Sequence, residues 1–511
     1  MKIAHLFFLM DYGGVERNIL NLCNASIDQG HEIKVIISHR LGHMANLLPP
    51  EVELILLPPS GKMVSLIHHL KKVNVCHVHS TNFNPFFIWA ASIADVPILV
   101  NSVEASIQYP FSAYCDFIVC PSYFVRNLQS RMTQIRVIYN GVASIHHRSN
   151  RKKTSKDKII VAEIRRPNKE LFYSLEQLIP HLSIEGAEVE GWILGQEGKS
   201  TERIKYKGFV KNPASLLKQA DFVVHFSKHE ALSNAIIEAM AVGAIPIASL
   251  VGGIAEIIEH EKNGFLVPPD RCRNMETLIN LLRQLLKDYY QNRQHFEQIR
   301  FRGFQKIEKQ FTLEKMHQQH MELYHQLWQN TSYPKKRALA PLIESKDEET
   351  CKVFLALLEG YSFNPEHGIQ QLRGMDLTIF SEKQRAFLLG ILAQNAMQKG
   401  QYQIAKQLLQ YATTLWKEDF YLNLNLGICL KELNKYDEAE AVLIQAHYLM
   451  PDEIEPYLLL LELYINQNAF DQIEKWASQL SQKLSSDHPM ANHITTLLRQ
   501  AVPIQQSKLH H

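Results

Sequence analysis

The sequence predicts two doubly wound α/β domains in tandem, followed by an all-α domain of repeated helical pairs. Three observations predict it. Short apolar, β-branched runs alternate with helical patterns from residue 2 to about residue 311, as in parallel sheets covered on both faces. One polar, basic stretch, residues 146–158, interrupts that alternation. Beyond about residue 348 the pattern turns helical throughout and repeats at an interval of 34 residues. At 511 residues the chain exceeds one core and divides into about three domains.

Taken in order, residues 2–10 read as a buried strand, followed by a Gly13-Gly14 turn and a helix over 15–29 that Gly30-His31 ends. Further strands are expected at 32–38, 53–57, 75–79, 97–102 and 117–121. The like-charged stretch 146–158 reads as a solvated hinge and sets the domains at 1–148 and 149–311. In the second domain, strands are expected at 159–164, 189–194, 222–226, 245–249 and 265–267, with helices at 171–181, 213–219, 234–242 and 276–287. Two such domains facing each other form a cleft at the C-terminal ends of both sheets, where open α/β sheets bind ligands. Residues 312–329 make an amphipathic helix, and 330–347, with Pro334 and Pro341, read as a linker.

The repeat occupies 348–505. Tyr402, Tyr436 and Phe470 recur at 34-residue intervals, as do the pairs Ala405/Ala439 and Ala412/Ala446. The unit with Leu426-Gly427, Ala439, Ala446 and Pro451 resembles the tetratricopeptide helix–turn–helix, in which small residues let the two helices approach. Residues 348–385 are expected to add one or two degenerate helical pairs. Such repeats present a surface to peptides or proteins, so a protein acceptor, a protein partner or self-association is expected of them.

Composition narrows the classes. A net charge of +2 excludes a strong whole-chain bias toward polyanions, so no nucleic-acid partner is expected. The seven cysteines are scattered without a CxxC pair and read as buried thiols in a reducing compartment. The first residues read as a strand rather than a signal peptide, and no run reaches the roughly 20 apolar residues of a membrane span. Cytosolic residence is expected, with peripheral contact at the inner face of the cell membrane left open. The 24 histidines make chance pairs common. His77/His79 and His317/His320 lack Cys or acidic partners at metal spacing in the sequence, so both read as structural and no metal site is expected.

The segment richest in chemistry is SKHEALSNAIIEAMAVG, residues 227–243. A helix starting near Ser233 and Asn234 offers unsatisfied N–H groups, Ala235 included, and a partial positive charge to a diphosphate. Glu238, one turn further in, suits a ribose diol. Glu230, on the loop before the helix, suits the sugar being transferred. A small-residue turn, a buried strand, Gly252-Gly253, Glu256 and an Asn263-Gly264 turn follow at compact spacing.

This order of residues resembles the donor domain of family 4 glycosyltransferases of the GT-B fold, with Glu-x7-Glu, Ala-Met-Ala and then Gly-Gly-x-x-Glu. The resemblance extends over about residues 1–328. It takes in Gly13-Gly14-Val15-Glu16, Gly30-His31-Glu32-Ile33, Val75-Cys76-His77-Val78-His79, Tyr139-Asn140-Gly141-Val142, Leu194-Gly195-Gln196-Glu197-Gly198 and Lys207-Gly208-Phe209-Val210. It implies that Gly13 and Gly14 let the backbone approach donor phosphates and acceptor, and that the 312–329 helix crosses back onto the first domain. It also implies a nucleotide-sugar co-substrate, UDP- or GDP-linked, with no other cofactor. The expected acceptor is a glycan, a lipid-linked molecule or a protein, and the expected outcome is transfer with retention. A metal is not expected, and the sequence contains no Asp-x-Asp motif. Charge on the leaving diphosphate then falls to Lys, Arg and the helix dipole. Lys169 fits the family's lysine position. The usual arginine position holds Glu163, and Arg165 or Arg166 stands two or three residues onward. Under retention Glu230 positions and stabilises the sugar rather than forming a hydrolase-type carboxylate pair. Many relatives carry a His after the fourth main strand of the first domain; here Asn101 and Glu104 occupy that neighbourhood. The expectation is an active glycosyltransferase. Its rivals are a degenerate scaffold whose repeats do the work and a GT-B sugar-nucleotide epimerase.

Overall fold

The computed structural model describes residues 1–129, 134–143, 158–165, 169–210, 212–329, 339–343 and 347–483. Most of the basic boundary stretch, most of the expected linker and Arg166 lie outside the described residues, as do repeat residues beyond 483.

The first domain is a sheet of parallel strands: β1 (Lys2–Leu9), β2 (Glu32–Arg40), β3 (Glu53–Leu56), β4 (Val75–Ser80), β5 (Ile98–Val103), β6 (Phe117–Cys120) and β7 (Ile135–Val137), in the order β3-β2-β1-β4-β5-β6-β7. Its helices are α1 (Gly14–Ile27), α2 (Lys62–Leu70), α3 (Phe86–Ile93) and α4 (Tyr123–Leu128). Burial on both faces explains the near-continuous apolar runs in its central strands. The strand order reverses between β1 and β4, so the connections after those strands diverge and open a crevice.

The second domain repeats the plan with β8 (Lys158–Ile164), β9 (Glu188–Leu194), β10 (Ile204–Tyr206), β11 (Phe222–His225), β12 (Ile245–Ser249) and β13 (Phe265–Val267), ordered β10-β9-β8-β11-β12-β13. Its helices are α5 (Leu175–Leu178), α6 (Ala214–Leu217), α7 (Asn234–Ala241), α8 (Ile254–Ile257), α9 (Pro269–Cys272), α10 (Met275–Gln291) and α11 (Arg293–Gln310). Here the reversal lies between β8 and β11, whose following loops carry Lys169 and Glu230.

Helix α12 (Leu313–Gln329) lays Met316, Met321, Leu323, Tyr324 and Leu327 into the first domain's core beside Ile3, Phe7 and Val35. The chain therefore crosses back after completing the second domain. The helical tail consists of α13 (Glu348–Phe363), α14 (Pro365–Arg373), α15 (Glu382–Gln398), α16 (Tyr402–Leu415), α17 (Phe420–Glu432), α18 (Tyr436–Leu449), α19 (Glu455–Gln467) and α20 (Phe470–Lys483). Tyr402, Tyr436 and Phe470 each open the second helix of a pair. Gly427 is needed for packing, because a Cβ there would lie 2.4 Å from Leu443 across the α17–α18 contact.

Three local expectations change. The helix expected over 171–181 is only α5 plus one 3₁₀ turn. Leu171 instead bridges Ser227, Ser174 starts the helix, and Pro180 cannot continue it. Within the expected linker, Leu339 and Leu342 are fully buried against α3 and α15, because two leucines outweigh the flanking charges. The strands β7 and β10 carry three residues each, too short for a periodicity to show.

Candidate active site

The site forms where the loops after β8 and β11 meet the start of α7. Lys169 Nζ pairs with the Glu230 carboxylate, and His225 Nε2 lies 3.6 Å from the same oxygen. Ser233 Oγ sits 3.4 Å from His225 Nε2. Burial alone would raise the Glu230 carboxyl, but its hydrogen bond to His225, the His225 charge and Lys169 outweigh it and hold the group at about 2. Glu230 is thus ionised across the whole physiological range. His225 carries no motif signal of its own; its position at the end of β11, on the strand before Glu230, is the only sequence hint.

The Glu230 loop is held by the glycines that follow β12. Gly252 has φ +55, and a Cβ there would fall 1.6 Å from the Glu230 carbonyl oxygen. Only glycine permits both the conformation and the approach. Glu256, at the end of the same motif, reaches the first domain. Its carboxylate accepts from the Tyr123 and Phe124 N–H groups at the start of α4, each at 2.9 Å, and from Tyr139 OH at 2.9 Å. Ser122 Oγ donates to the Ala231 carbonyl at 2.7 Å, one residue beyond Glu230. The motif thus sets Glu230 from one side and joins the domains from the other.

Ser233 caps α7, accepting from the Ile236 N–H at 3.4 Å. The first-turn N–H groups of Asn234 and Ala235 have no intrahelical acceptor. Glu238 stands one turn on, half-buried, with no hydrogen bond or ion pair to the protein among the described residues. Burial raises its carboxyl, and the Arg17 charge from α1 opposes that. Gly13 and Gly14 lie at the start of α1 across the seam, where a Cβ on Gly14 would lie 2.8 Å from Asn234 Nδ2.

Two expected donor contacts are otherwise engaged. The Asn234 side chain bridges the domains, donating to Gly14 O at 3.3 Å and to Asn18 Oδ1 at 3.4 Å, and accepting from Asn140 Nδ2 at 2.9 Å. Arg165 turns to Glu163 at 3.3 Å and Glu176 at 3.7 Å rather than to Glu230. Glu163 is buried, which pushes its carboxyl up to about 7 against the Arg165 charge. Arg165 is therefore tied by the residue that stands in the family's arginine position.

The first domain holds a second cluster that spacing along the chain conceals. His5 on β1, His77 and His79 on β4, Glu104 after β5 and His320 on α12 are brought together. His79 has an acidic neighbour after all: its Nδ1 lies 3.5 Å from Glu104 Oε1. The ring nitrogens of His5, His77 and His79 lie within 4.8 Å of one another. His77, however, gives both nitrogens to hydroxyls, Tyr324 at 2.5 Å and Ser102 at 2.7 Å, and His5 Nδ1 meets His79 Nε2 at 3.1 Å. Burial lowers all four imidazoles, His79 to about 3 and His320 to about 4, so the cluster is a network of neutral rings. The sequence signal was the alternation on β4; register beside β1 supplied His5.

The wide surface grooves between α1 and α12 and beside β13 and α10 contain none of the candidate residues. Among the described residues no helix is long and apolar enough to cross a membrane, and all seven cysteines are free and buried.

Comparison with known proteins agrees with this fold. Residues 12–144 match Glycosyltransferase Family 4, residues 156–288 match Glycosyl transferases group 1, and residues 396–452 match a Tetratricopeptide repeat. N-acetyl-alpha-D-glucosaminyl L-malate synthase of Bacillus anthracis is 32% identical over 126 residues, 24% of this chain and 31% of that protein. Sucrose synthase 4 of Oryza sativa subsp. japonica is 26% identical over 160 residues, 31% of this chain and 17% of that protein. The chain thus spans less than a third of the length of these curated relatives. Among solved structures, HepE of Anabaena in complex with UDP-glucose superposes with TM-score 0.52 at 20% identity, over 64% of this chain and 100% of that one. A glycosyltransferase of Rickettsia africae gives TM-score 0.52 at 18% identity, over 65% and 99%. At such identities these likenesses establish the fold. The chain thus carries a Glycosyltransferase Family 4 match and a Glycosyl transferases group 1 match in order on its two α/β domains, in the GT-B fold, with a Tetratricopeptide repeat match behind them.

Proposed function

We propose that this protein transfers a sugar from a UDP- or GDP-linked donor to an acceptor hydroxyl, with retention and without a metal ion. The observation that carries the reading is the Lys169–Glu230–His225 constellation beside the start of α7, with the largely buried Glu238 carboxyl one turn on. In this reading the diphosphate lies against the N–H groups of Asn234 and Ala235 and the Lys169 ammonium, which offset the charge that develops as it leaves. Glu238 accepts from the ribose hydroxyls. Glu230, held ionised, accepts from sugar hydroxyls and stabilises positive charge developing at the anomeric carbon.

The bond from the anomeric carbon to the phosphate oxygen breaks, and the acceptor oxygen forms its bond on the same face. The acceptor proton passes to the departing phosphate oxygen, so no enzyme base is required. The likeness to HepE, whose complex contains UDP-glucose, supports a uridine donor. A glycan, a lipid-linked molecule and a protein all fit as acceptors.

The test is nucleoside diphosphate release from UDP-glucose, UDP-N-acetylglucosamine and GDP-mannose against a panel of alkyl glycosides. Turnover lost in Glu230→Gln and Lys169→Ala supports the reading; parental rates in both variants refute it. One observation favours a scaffold without activity: Arg165 is withdrawn toward Glu163 and Glu176. Calorimetry decides that alternative, since a scaffold binds none of the three donors.

A further inference from the structure

The repeat domain is built into the first domain. The first helices of successive pairs touch, α15 with α17 and α17 with α19, and so form one continuous face. Phe387, Tyr421 and Glu455 recur on these helices at intervals of 34 residues. All three meet the first domain. Phe387 packs edge-on against Trp89 of α3 at 5.2 Å. Tyr421 OH donates to the Pro110 carbonyl at 2.7 Å and accepts from the Ala113 N–H at 3.3 Å. Glu455 accepts from the Gln108 amide at 3.0 Å.

What this face holds is the connection between β5 and β6. Tyr421 reads one backbone carbonyl and one backbone N–H of that segment, the contacts a repeat face makes with a bound peptide. A cavity of about 320 Å³ remains between the segment and the repeats. Tyr114 packs against the Tyr421 ring at 4.9 Å and Gln129 holds Ile107 and Tyr109 from within the first domain, and to these the Tyr421 and Glu455 hydrogen bonds add a directional hold from the repeats.

The held segment leads directly from the cleft. It begins at Glu104, which lines a small cavity with His79, Asn18 and Asn140 beside the α1–α7 seam. The neighbouring connection, after β4, is tied too. Asn84 donates to Ser362 O of α13 at 2.7 Å, and its own carbonyl accepts from Tyr109 OH at 3.3 Å. Two of the connections that wall the first domain's half of the crevice are thus anchored in the repeats.

We propose that the repeat domain is a clamp on the acceptor half of the cleft, with the β5–β6 connection as its bound segment and Tyr421 as the positioning residue. This rests on the glycosyltransferase reading above. The full chain carrying Tyr421→Phe keeps the ring and loses both hydrogen bonds. Tyr448→Phe, on α18 and 72% exposed, is the control. Amide exchange across residues 105–114 is measured alongside kinetics on the same donors and alkyl glycosides.

In Tyr421→Phe, exchange there is expected to quicken about tenfold and the acceptor KM to rise about five- to tenfold, with kcat and the donor KM moving less than twofold. The control matches the parent in every measurement. Exchange and acceptor KM both equal to the control overturn the clamp. Faster exchange with an unchanged acceptor KM also overturns it, leaving the contact merely structural. A parent that turns over none of the donors defeats the glycosyltransferase reading and the acceptor role with it, whereas an active parent with an indifferent Tyr421→Phe defeats the clamp alone.

Discussion

Glu230 and Glu104 both stand beyond the C-terminal ends of strands, one in each domain, and their surroundings hold them in opposite states. Both are largely withdrawn from water, which favours the neutral form. Glu230 has Lys169 and His225 within reach and is held at about 2. Glu104 faces imidazoles that burial keeps neutral, and its own burial pushes it up to about 7. The difference shows that charged partners, not depth of burial, set the states: a permanent anion in the second domain and a carboxyl poised near neutrality in the first.

The strongest way to break this contrast is to remove the anion. Glu230→Gln keeps the shape and is expected to lower turnover on the order of 100- to 1000-fold, read as nucleoside diphosphate release. Next comes Gly252→Ala, which leaves every charge in place but forces a Cβ against the Glu230 carbonyl at φ +55. It is expected to cost about 1–3 kcal/mol of stability by thermal unfolding and to lower kcat more than tenfold by displacing the Glu230 loop. Under the proposed function, Glu238→Ala is expected to raise the donor KM about tenfold by steady-state kinetics while kcat changes little, because the proposed ribose contact would persist through the reaction.

Glu104→Gln is expected to have the smallest effect and a distinct signature. The parent's folded state keeps a proton that the unfolded state releases above about pH 4.3, so this group's contribution falls as pH rises toward about 7 and is flat beyond. Glutamine does not titrate. The Tm of the variant relative to the parent should therefore climb between pH 5 and pH 8, on the order of 5 °C. A difference that is flat with pH would show that Glu104 is an ordinary carboxylate.

The same two regions differ in how much the sequence revealed. Glu230, Ser233, Glu238, Gly252 and Glu256 fall within one short chain segment, where strand, turn and helix signals placed them together, and the family resemblance added Lys169. Only His225 escaped, being a lone histidine on an apolar strand. The first domain's cluster is assembled from β1, β4, the end of β5 and α12, which are distant in sequence. No spacing rule joins His5 to His320. Arg165 shows the converse limit, since a basic residue near the right position has its direction set by Glu163 and Glu176.

Local chemistry was enough to determine the architecture. Alternating apolar runs make parallel sheets wherever both faces are covered, and the 34-residue recurrence of small and aromatic residues makes stacked helical pairs. These depend on neighbours a few residues away. Tertiary structure alone decided what the repeats hold and which carboxylates keep their charge. A groove's occupant is chosen by the surface that packs beside it, here the β5–β6 connection against Tyr421. A carboxylate's charge depends on which groups from distant segments enter its few ångströms of low dielectric.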